Sequence, residues 1–166
     1  MLGKFALVGL CVWQTACGAG PVRKESVNLR LRVVASEQVN ADERDRAAPI
    51  MVRIYELKSA TAFENADYFT LQNDDRKVLG DDALVVDEFI LRPGDTREIR
   101  RKSNPSTTAI GVLAGYRLLG QSVWRDVYRA PPAPNAAWYR AVIADRTLNL
   151  TVRIEGQAAS ISSQSH

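Results

Sequence analysis

The stretch that decides the fold reads Pro49-Ile-Met-Val-Arg-Ile-Tyr-Glu-Leu57, followed directly by Lys58-Ser-Ala-Thr-Ala-Phe-Glu-Asn-Ala-Asp-Tyr-Phe-Thr-Leu-Gln72. Its first part is rich in branched apolar residues, which is typical of a strand buried on one face and partly on the other. The proline at its entry fits the first position of a strand, where the sheet needs no N–H donor. The sequence therefore predicts a β-strand over residues 49–57.

The second part of this stretch changes to a helical period. Its apolar residues recur three to four positions apart, as on one side of a helix: Ala62, Phe63, Ala66, Phe69 and Leu71. Ser59 predicts an N-cap, and Asp67 predicts the cap of a second short helix that begins near Tyr68. We therefore expect a helical insertion at about residues 59–72, with its aromatic side packed on a sheet. Residues 73–76 predict a turn.

Apolar and polar side chains alternate with a period of two in segments near both ends of the chain, residues 27–33 and 148–155. Further strands are predicted between turn signals, at residues 83–91, 96–102, 108–116, 123–129 and 138–144. About eight strands with one helical insertion predict a mainly β fold, a two-sheet β-sandwich over residues 27–156. Residues 157–166 are polar and low in complexity, which predicts a disordered tail.

The N-terminal residues predict export and a lipid anchor. A short basic start precedes the apolar run Phe5–Trp13, which is too short to span a bilayer and is typical of a signal peptide. Cys17 follows Ala16, the kind of small residue that a lipoprotein signal peptidase accepts. We therefore expect residues 1–16 to be removed as a lipoprotein signal peptide and residues 17–26 to form a lipidated tether.

The residues alone leave two interpretations of Cys17 open. Gln14 stands where lipoprotein sites usually carry leucine, so the alternative is an ordinary secretory signal cut at or after Ala16, which leaves a free thiol. Only Cys17 would remain after processing, so no internal disulfide could form, and a free thiol is a liability in an oxidising compartment. Lipid attachment consumes the thiol, and several acyl chains, at about 0.8 kcal/mol per buried methylene, would anchor the protein stably.

Composition excludes several classes of function. The 166 residues are 46% hydrophobic and 25% charged, as in an ordinary globular domain, and the formal charge of +3 is too small to predict nucleic-acid binding. The single histidine, His166, is the last residue, so no Ser–His or Cys–His site is expected, and no cluster has zinc spacing. We therefore expect no enzymatic activity, no metal, and no cofactor beyond a covalent lipid on Cys17.

Three further observations point to a known family. They are the run from Pro49 to Leu71, the turn Leu91-Arg-Pro-Gly-Asp95, and the pair of segments Val112-Leu-Ala-Gly-Tyr-Arg117 and Trp124-Arg125. Over about residues 27–155 they resemble the TssJ (VasD/SciN) outer-membrane lipoproteins of type VI secretion systems. The resemblance implies a transthyretin-like sandwich, a lipid-anchored location at the periplasmic face of the outer membrane, and no small-molecule substrate.

The polar loop from Ala35 to Ala48 is the segment to which the resemblance assigns partner binding. At about fourteen residues it is long for a connection between neighbouring strands, and long loops in compact domains tend to be functional; a merely solvated loop is the alternative. The resemblance implies that the partner is the large TssM-type inner-membrane subunit. The side chains expected to pair across that interface are Glu37, Asn40, Asp42, Arg44 and Arg46.

A second hypothesis, from a different functional class, is a periplasmic module that binds sugar or peptide. It would use aromatic residues of the helical insertion, and it requires an apolar pocket beside Phe63 and Tyr68 that is open to solvent. If those rings are buried in a core, this hypothesis fails.

Overall fold

The computed structural model describes residues 26–131 and 146–164, which form two four-stranded sheets. The strands are β1 (Asn28–Ala35), β2 (Ile50–Leu57), β3 (Ala83–Leu91), β4 (Thr96–Lys102), β5 (Ala109–Ala114), β6 (Arg125–Arg129), β7 (Thr147–Ile154) and β8 (Ala159–Ser163). The first sheet has the order β4-β1-β7-β8 and the second β3-β2-β5-β6. β1 and β7 are parallel, and the other neighbours are antiparallel. The predicted mainly β, two-sheet sandwich is confirmed.

The main core lies between the two sheets and follows from the alternation in the strands. In β1, Leu29, Leu31 and Val33 are at most 1% exposed, whereas Arg30 and Arg32 point to solvent. These residues meet branched side chains of the second sheet and of β7, among them Val52, Ile54, Val112, Val152 and Ile154. Each such side chain contributes about 1.5–3 kcal/mol when it is fully buried, so the alternation decides which face of each strand turns inward.

A second core lies on the outer side of the second sheet, where two helices pack. The helices are α1 (Thr61–Asn65) and α2 (Tyr68–Leu79), and both follow β2 and precede β3 in the sequence. Phe63 of α1 is fully buried, with its ring centroid 5.1 Å from that of Tyr55. Gly111 of β5 makes this contact possible, because a Cβ there would lie 3.0 Å from Phe63 Cε1. The aromatic side of the insertion therefore covers the sheet, as the sequence predicts.

The helical insertion is longer than the predicted 59–72. α2 continues through residues 73–76, where a turn is predicted, and a 3-10 helix, Gly80–Asp82, follows it. The predicted turn survives only as a kink at Asp74, where φ is −133° and ψ is 31°. The helix resumes beyond the kink because Leu79, only 3% exposed, packs into the second core.

The two predicted caps have different outcomes. Asp67 caps α2 as predicted, since its carboxylate accepts a hydrogen bond from Thr70 N at 3.0 Å. The N-cap of α1 is Ala60 rather than Ser59, although Ser59 Oγ accepts a long hydrogen bond from Thr61 N, at 3.4 Å, at the start of that helix. Phe69 also departs from the predicted apolar stripe, because 63% of it is exposed.

The C-terminal segment corrects the prediction of a disordered tail over residues 157–166. Residues Ala159–Ser163 form β8, which pairs with β7 in antiparallel register from Ala159↔Ile154 to Ser163↔Leu150. Its backbone is also fixed from the second sheet, since Asp126 Oδ2 accepts a hydrogen bond from Ile161 N at 2.8 Å. Backbone pairing therefore holds a strand whose serine-rich composition gives no hydrophobic signal.

The predicted signal peptide, the predicted tether and the predicted strand at residues 138–144 lie outside the described residues.

A buried carboxylate ties the two sheets together at the edge formed by β3 and β4. Glu56 of β2 is 0% exposed and accepts hydrogen bonds from Arg101 Nε at 2.6 Å, Asn104 N at 2.9 Å and Thr107 Oγ1 at 2.9 Å. Arg101 of β4 also donates to Asp87 Oδ2 of β3 at 2.6 Å. Because β4 belongs to the first sheet and β2 and β3 to the second, this cluster fixes their relative position.

Replacing Glu56 by alanine should therefore destabilise the fold strongly. We expect Glu56→Ala to lower the free energy of unfolding by about 3–5 kcal/mol, because it leaves Arg101 partly buried without its main counter-ion. The matched control is Glu98→Ala, which removes an exposed partner of Arg100 and should cost less than about 1 kcal/mol. Urea unfolding of the full chain measures both values, and equal losses would contradict a special role for Glu56.

Candidate protein-binding site

The β1–β2 loop lies at one end of the sandwich together with the β3–β4 turn and the β5–β6 and β7–β8 connections. β1 begins at Asn28 and ends at Ala35, where this loop starts. The β3–β4 turn touches the loop, with Gly94 N donating to Ser36 O at 3.3 Å, and the end of β7 does so through Ser36 N and Ile154 O at 2.9 Å. We call this the loop end. An eight-residue strand at about 3.3 Å per residue places it about 26 Å from the start of β1.

The base of the loop is held in place by a buried side chain, that of Val39. This residue is 0% exposed and packs in the main core, although a polar segment surrounds it. Its N–H donates to Ser36 O at 3.1 Å, and its carbonyl accepts from Ala48 N at 3.1 Å. The base of the loop is therefore an ordered extension of the sandwich, whereas residues 43–46 at its tip are exposed.

Asn40, one of the five predicted contact residues, is turned inward. It is 4% exposed and has a φ of 53°, a left-handed conformation that asparagine tolerates better than most residues. Its Nδ2 donates to Pro49 O at 2.9 Å, and its Oδ1 accepts from Arg117 N at 2.8 Å. The amide thus joins the loop to the start of β2 and to the β5–β6 connection, and its hydrogen-bonding groups are used within the chain.

Asp42 organises the tip of the loop. Its Oδ1 accepts hydrogen bonds from Arg44 N at 2.9 Å and Arg46 N at 3.0 Å, and its Oδ2 accepts from Arg46 Nε at 2.8 Å. The side-chain bond from Arg46 is the largest cause that lowers the pKa of Asp42, to about 2, and the backbone bond from Arg46 follows. The carboxylate therefore stays charged and keeps the tip folded across the physiological range of pH.

The other three predicted residues present their side chains to solvent. Glu37 and Arg44 are exposed, and the Arg46 side chain is 69% exposed although it pairs with Asp42. Glu37 lies against the β3–β4 turn, where a Cβ on Gly94 would come within 2.6 Å of Glu37 Oε1. Gly94 also has a φ of +79°, so the backbone of this turn favours glycine. The exposed surface of the loop is polar and carries both signs of charge.

Two residues that the sequence pattern did not single out also hold this site. Gln157 Nε2 donates to Ala41 O at 3.2 Å, from the segment predicted to be disordered. Arg117 belongs to one of the family-like motifs, yet only the structure shows that its backbone N–H donates a hydrogen bond to Asn40 Oδ1. Both contacts join distant parts of the chain, so no local sequence signal could indicate them.

The aromatic residues of the insertion correct the ligand-binding hypothesis. Phe63 is 0% and Tyr68 is 8% exposed, and the Tyr68 ring packs edge-on against Trp124 at a centroid distance of 5.4 Å. That hypothesis requires these rings to line a pocket open to solvent. They are instead part of the second core, so the hypothesis of a sugar- or peptide-binding module fails.

The part of the chain that the structure describes has neither a metal-binding cluster nor a membrane-spanning helix. Across residues 26–131 and 146–164, no three His, Cys, Asp or Glu side chains are grouped so that they could hold a metal ion. Within the same ranges no helix has the length and apolar character needed to cross a membrane. The expected lipidation site, Cys17, lies outside the described residues and stays a prediction.

Comparison with known proteins connects this structure to secretion. A family model for type VI secretion lipoproteins, described by the names VasD, EvfM and TssJ, matches residues 27–157. No curated protein sequence matches the chain.

Solved structures agree with the family match. The type VI secretion lipoprotein TssJ1 from Pseudomonas aeruginosa is 33% identical with a TM-score of 0.73, covering 86% of this chain and 99% of that one. Lip from Serratia marcescens, a membrane-bound component of the type VI secretion system, is 29% identical with a TM-score of 0.72, covering 86% and 100%. A structure titled "Type VI membrane complex" shares the fold at 21% identity and a TM-score of 0.66, covering 83% and 99%. The chain therefore belongs to the TssJ family of type VI secretion lipoproteins.

Proposed function

We propose that this protein is an outer-membrane lipoprotein that holds the periplasmic region of a TssM-type inner-membrane subunit by protein–protein contact, without catalysis. The observation that carries this proposal is the position of the ordered β1–β2 loop. The loop lies at the far end of β1 from Asn28, the strand terminus that follows the expected tether in the sequence. A sandwich fixed by lipid at Cys17 would therefore present this loop to the periplasm.

The chemistry of the loop suits specific recognition more than tight hydrophobic burial. Glu37, Arg44 and Arg46 are exposed and carry both signs of charge, which favours a partner with a matching pattern. Asn40 and Asp42 hold the loop in one conformation before binding. Such preorganisation reduces the entropy that ordering would cost on association. Two of the five predicted residues thus position the loop, and three are available to a partner.

Reversing one exposed charge of the loop tests the partner contact. We expect Arg44→Glu to weaken binding of the TssM-type periplasmic region about tenfold or more, because it would place like charges together across the interface. Isothermal titration calorimetry measures the affinity, and the melting temperature should change by less than about 2 °C because the side chain is exposed. Deleting residues 42–48 would be a less specific change, since it also removes the Ala48 N–Val39 O bond.

The matched control for this experiment is Lys77→Glu, which makes the same change in charge on an exposed residue of α2. It should leave the affinity within about twofold of the unaltered protein, because screening limits charge effects to about 10 Å. If Lys77→Glu and Arg44→Glu weaken binding equally, or if neither does, the loop is not the contact.

The lipid anchor is tested by a second substitution. Cys17→Ser should move the protein from the membrane fraction to the soluble periplasm, because no thiol remains in the expected mature chain to carry acyl groups. Mass spectrometry of the unaltered mature protein should show a diacylated or triacylated Cys17. Cys11→Ser, in the segment expected to be removed, is the control and should change nothing. Retention of the Cys17→Ser protein in the membrane fraction would refute the anchor.

A further inference from the structure

The outer face of the first sheet carries a set of basic side chains in register, which we call the basic face. Arg30 of β1 stands directly opposite Arg100 of β4, and Arg32 stands opposite Glu98. Arg153 of β7 and Lys102 of β4 project from the same side, as the register places them. Both described helices pack on the second sheet, so they leave the basic face uncovered.

Positive charge is concentrated on this face. The described residues contain 18 basic and 17 acidic side chains, and the basic face holds five of the basic and one of the acidic ones. The face therefore carries a charge of +4, whereas the rest of the described chain carries −3. An anionic partner would be attracted to this side of the sandwich in particular.

The arrangement of the arginines is unfavourable for the isolated chain. Like charges directly opposite each other in an antiparallel pair are destabilising, and Arg30 and Arg100 are such a pair. Arg100 has an ion pair with Glu98, but Arg30, Arg32 and Arg153 form no ion pair among the residues described, although Arg32 stands opposite Glu98. Their guanidinium groups are thus available to an external carboxylate.

A shallow cavity in the basic face is shaped by the C-terminal segment. It has a volume of about 210 Å³, and its polar lining consists of Arg30, Arg32, Glu98, Arg100, Asn149 and Gln164. Gln164 is held over the sheet, since its Nε2 donates to Thr151 Oγ1 at 2.8 Å and its N–H to Asn149 O at 3.0 Å. Arginine binds carboxylates through two parallel hydrogen bonds, so Arg30 and Arg32, the two lining arginines that are not paired with Glu98, suit an acidic side chain.

We propose that the basic face docks a carboxylate-rich surface of a protein, at a site separate from the β1–β2 loop. The face runs along β1, between the start of that strand and the loop end. With the lipid anchor in place it would be a lateral side of the sandwich, so the choice of a protein over the bilayer rests on the proposed function. Among the outward strand positions of this face, Val34 is the one apolar residue, and it is half-buried. The face therefore has little apolar surface that could enter a membrane interface.

Titration with an acidic peptide tests this proposal. The full-length chain in detergent is titrated with a fluorescein-labelled peptide of about ten glutamates, and fluorescence anisotropy gives the affinity. The double variant Arg30→Glu/Arg32→Glu should bind at least about tenfold more weakly, because it reverses the charge of the face. Raising NaCl from about 50 to about 200 mM should also weaken binding to the unaltered chain.

The matched control is Arg76→Glu/Lys77→Glu, which makes the same change in charge on two exposed residues of α2. It should retain peptide affinity within about twofold. Equal losses in the two double variants would show a response to net charge alone and would overturn the proposal, as would a lack of peptide binding. If thermal unfolding shows that Arg30→Glu/Arg32→Glu is misfolded, Arg30→Gln/Arg32→Gln decides, with a smaller loss expected.

A membrane is the competing occupant, and vesicle flotation distinguishes it. In a Cys17→Ser background, binding to vesicles that contain phosphatidylglycerol should be weak and should not depend on Arg30 and Arg32. Strong vesicle binding that Arg30→Glu/Arg32→Glu abolishes would overturn the proposal. Loss of TssM-type binding in Arg44→Glu is measured separately, so the loop contact and the basic face can fail independently.

Discussion

The structure depends on one buried carboxylate, that of Glu56, whose hydrogen bonds join the edge of the first sheet to the edge of the second. A carboxylate without exposed surface needs partners, because leaving it unpaired would cost several kcal/mol. Arg101, Asn104 and Thr107 supply them, and Arg101 extends the cluster to Asp87. The edges of the two sheets are thereby fixed relative to each other. β3 and β4 run from this cluster to the turn that contacts the β1–β2 loop, which lies at the other end of the same strands.

The loop end combines residues that build the surface with residues that display it. Three side chains are used within the protein. Val39 packs in the main core, Asn40 bonds to two backbone groups, and Asp42 accepts hydrogen bonds that close the tip of the loop. Glu37 and Arg44 are exposed beside them. A protein that acts by contact benefits from this division, since the buried residues fix the positions of the exposed ones. The basic face is a different surface with a net positive charge, on the outer side of the first sheet, so the two surfaces would select partners of different charge.

Alternation in β1 and β7 predicted the sandwich from sequence, because a period of two decides which side chains enter the core. The helical period after Leu57 and the cap at Asp67 were equally local signals, and both are present in the structure. The extent of α2 and the pairing of β8 were not predictable, because distant contacts hold them: Leu79 in the second core, and Ala159–Ser163 on β7. The inward turn of Asn40 was hidden for the same reason, since its partner Arg117 N is 77 residues away.

Hydrogen–deuterium exchange of the full chain, with and without the TssM-type periplasmic region, tests the central claim most directly. Amide protection reports where a partner excludes solvent and stabilises local structure. The account predicts that the partner slows exchange in residues 37–46 and in the adjoining turn at residues 92–95, while the helices α1 and α2 are unaffected. Protection gained at those helices alone, or no protection anywhere, would contradict it.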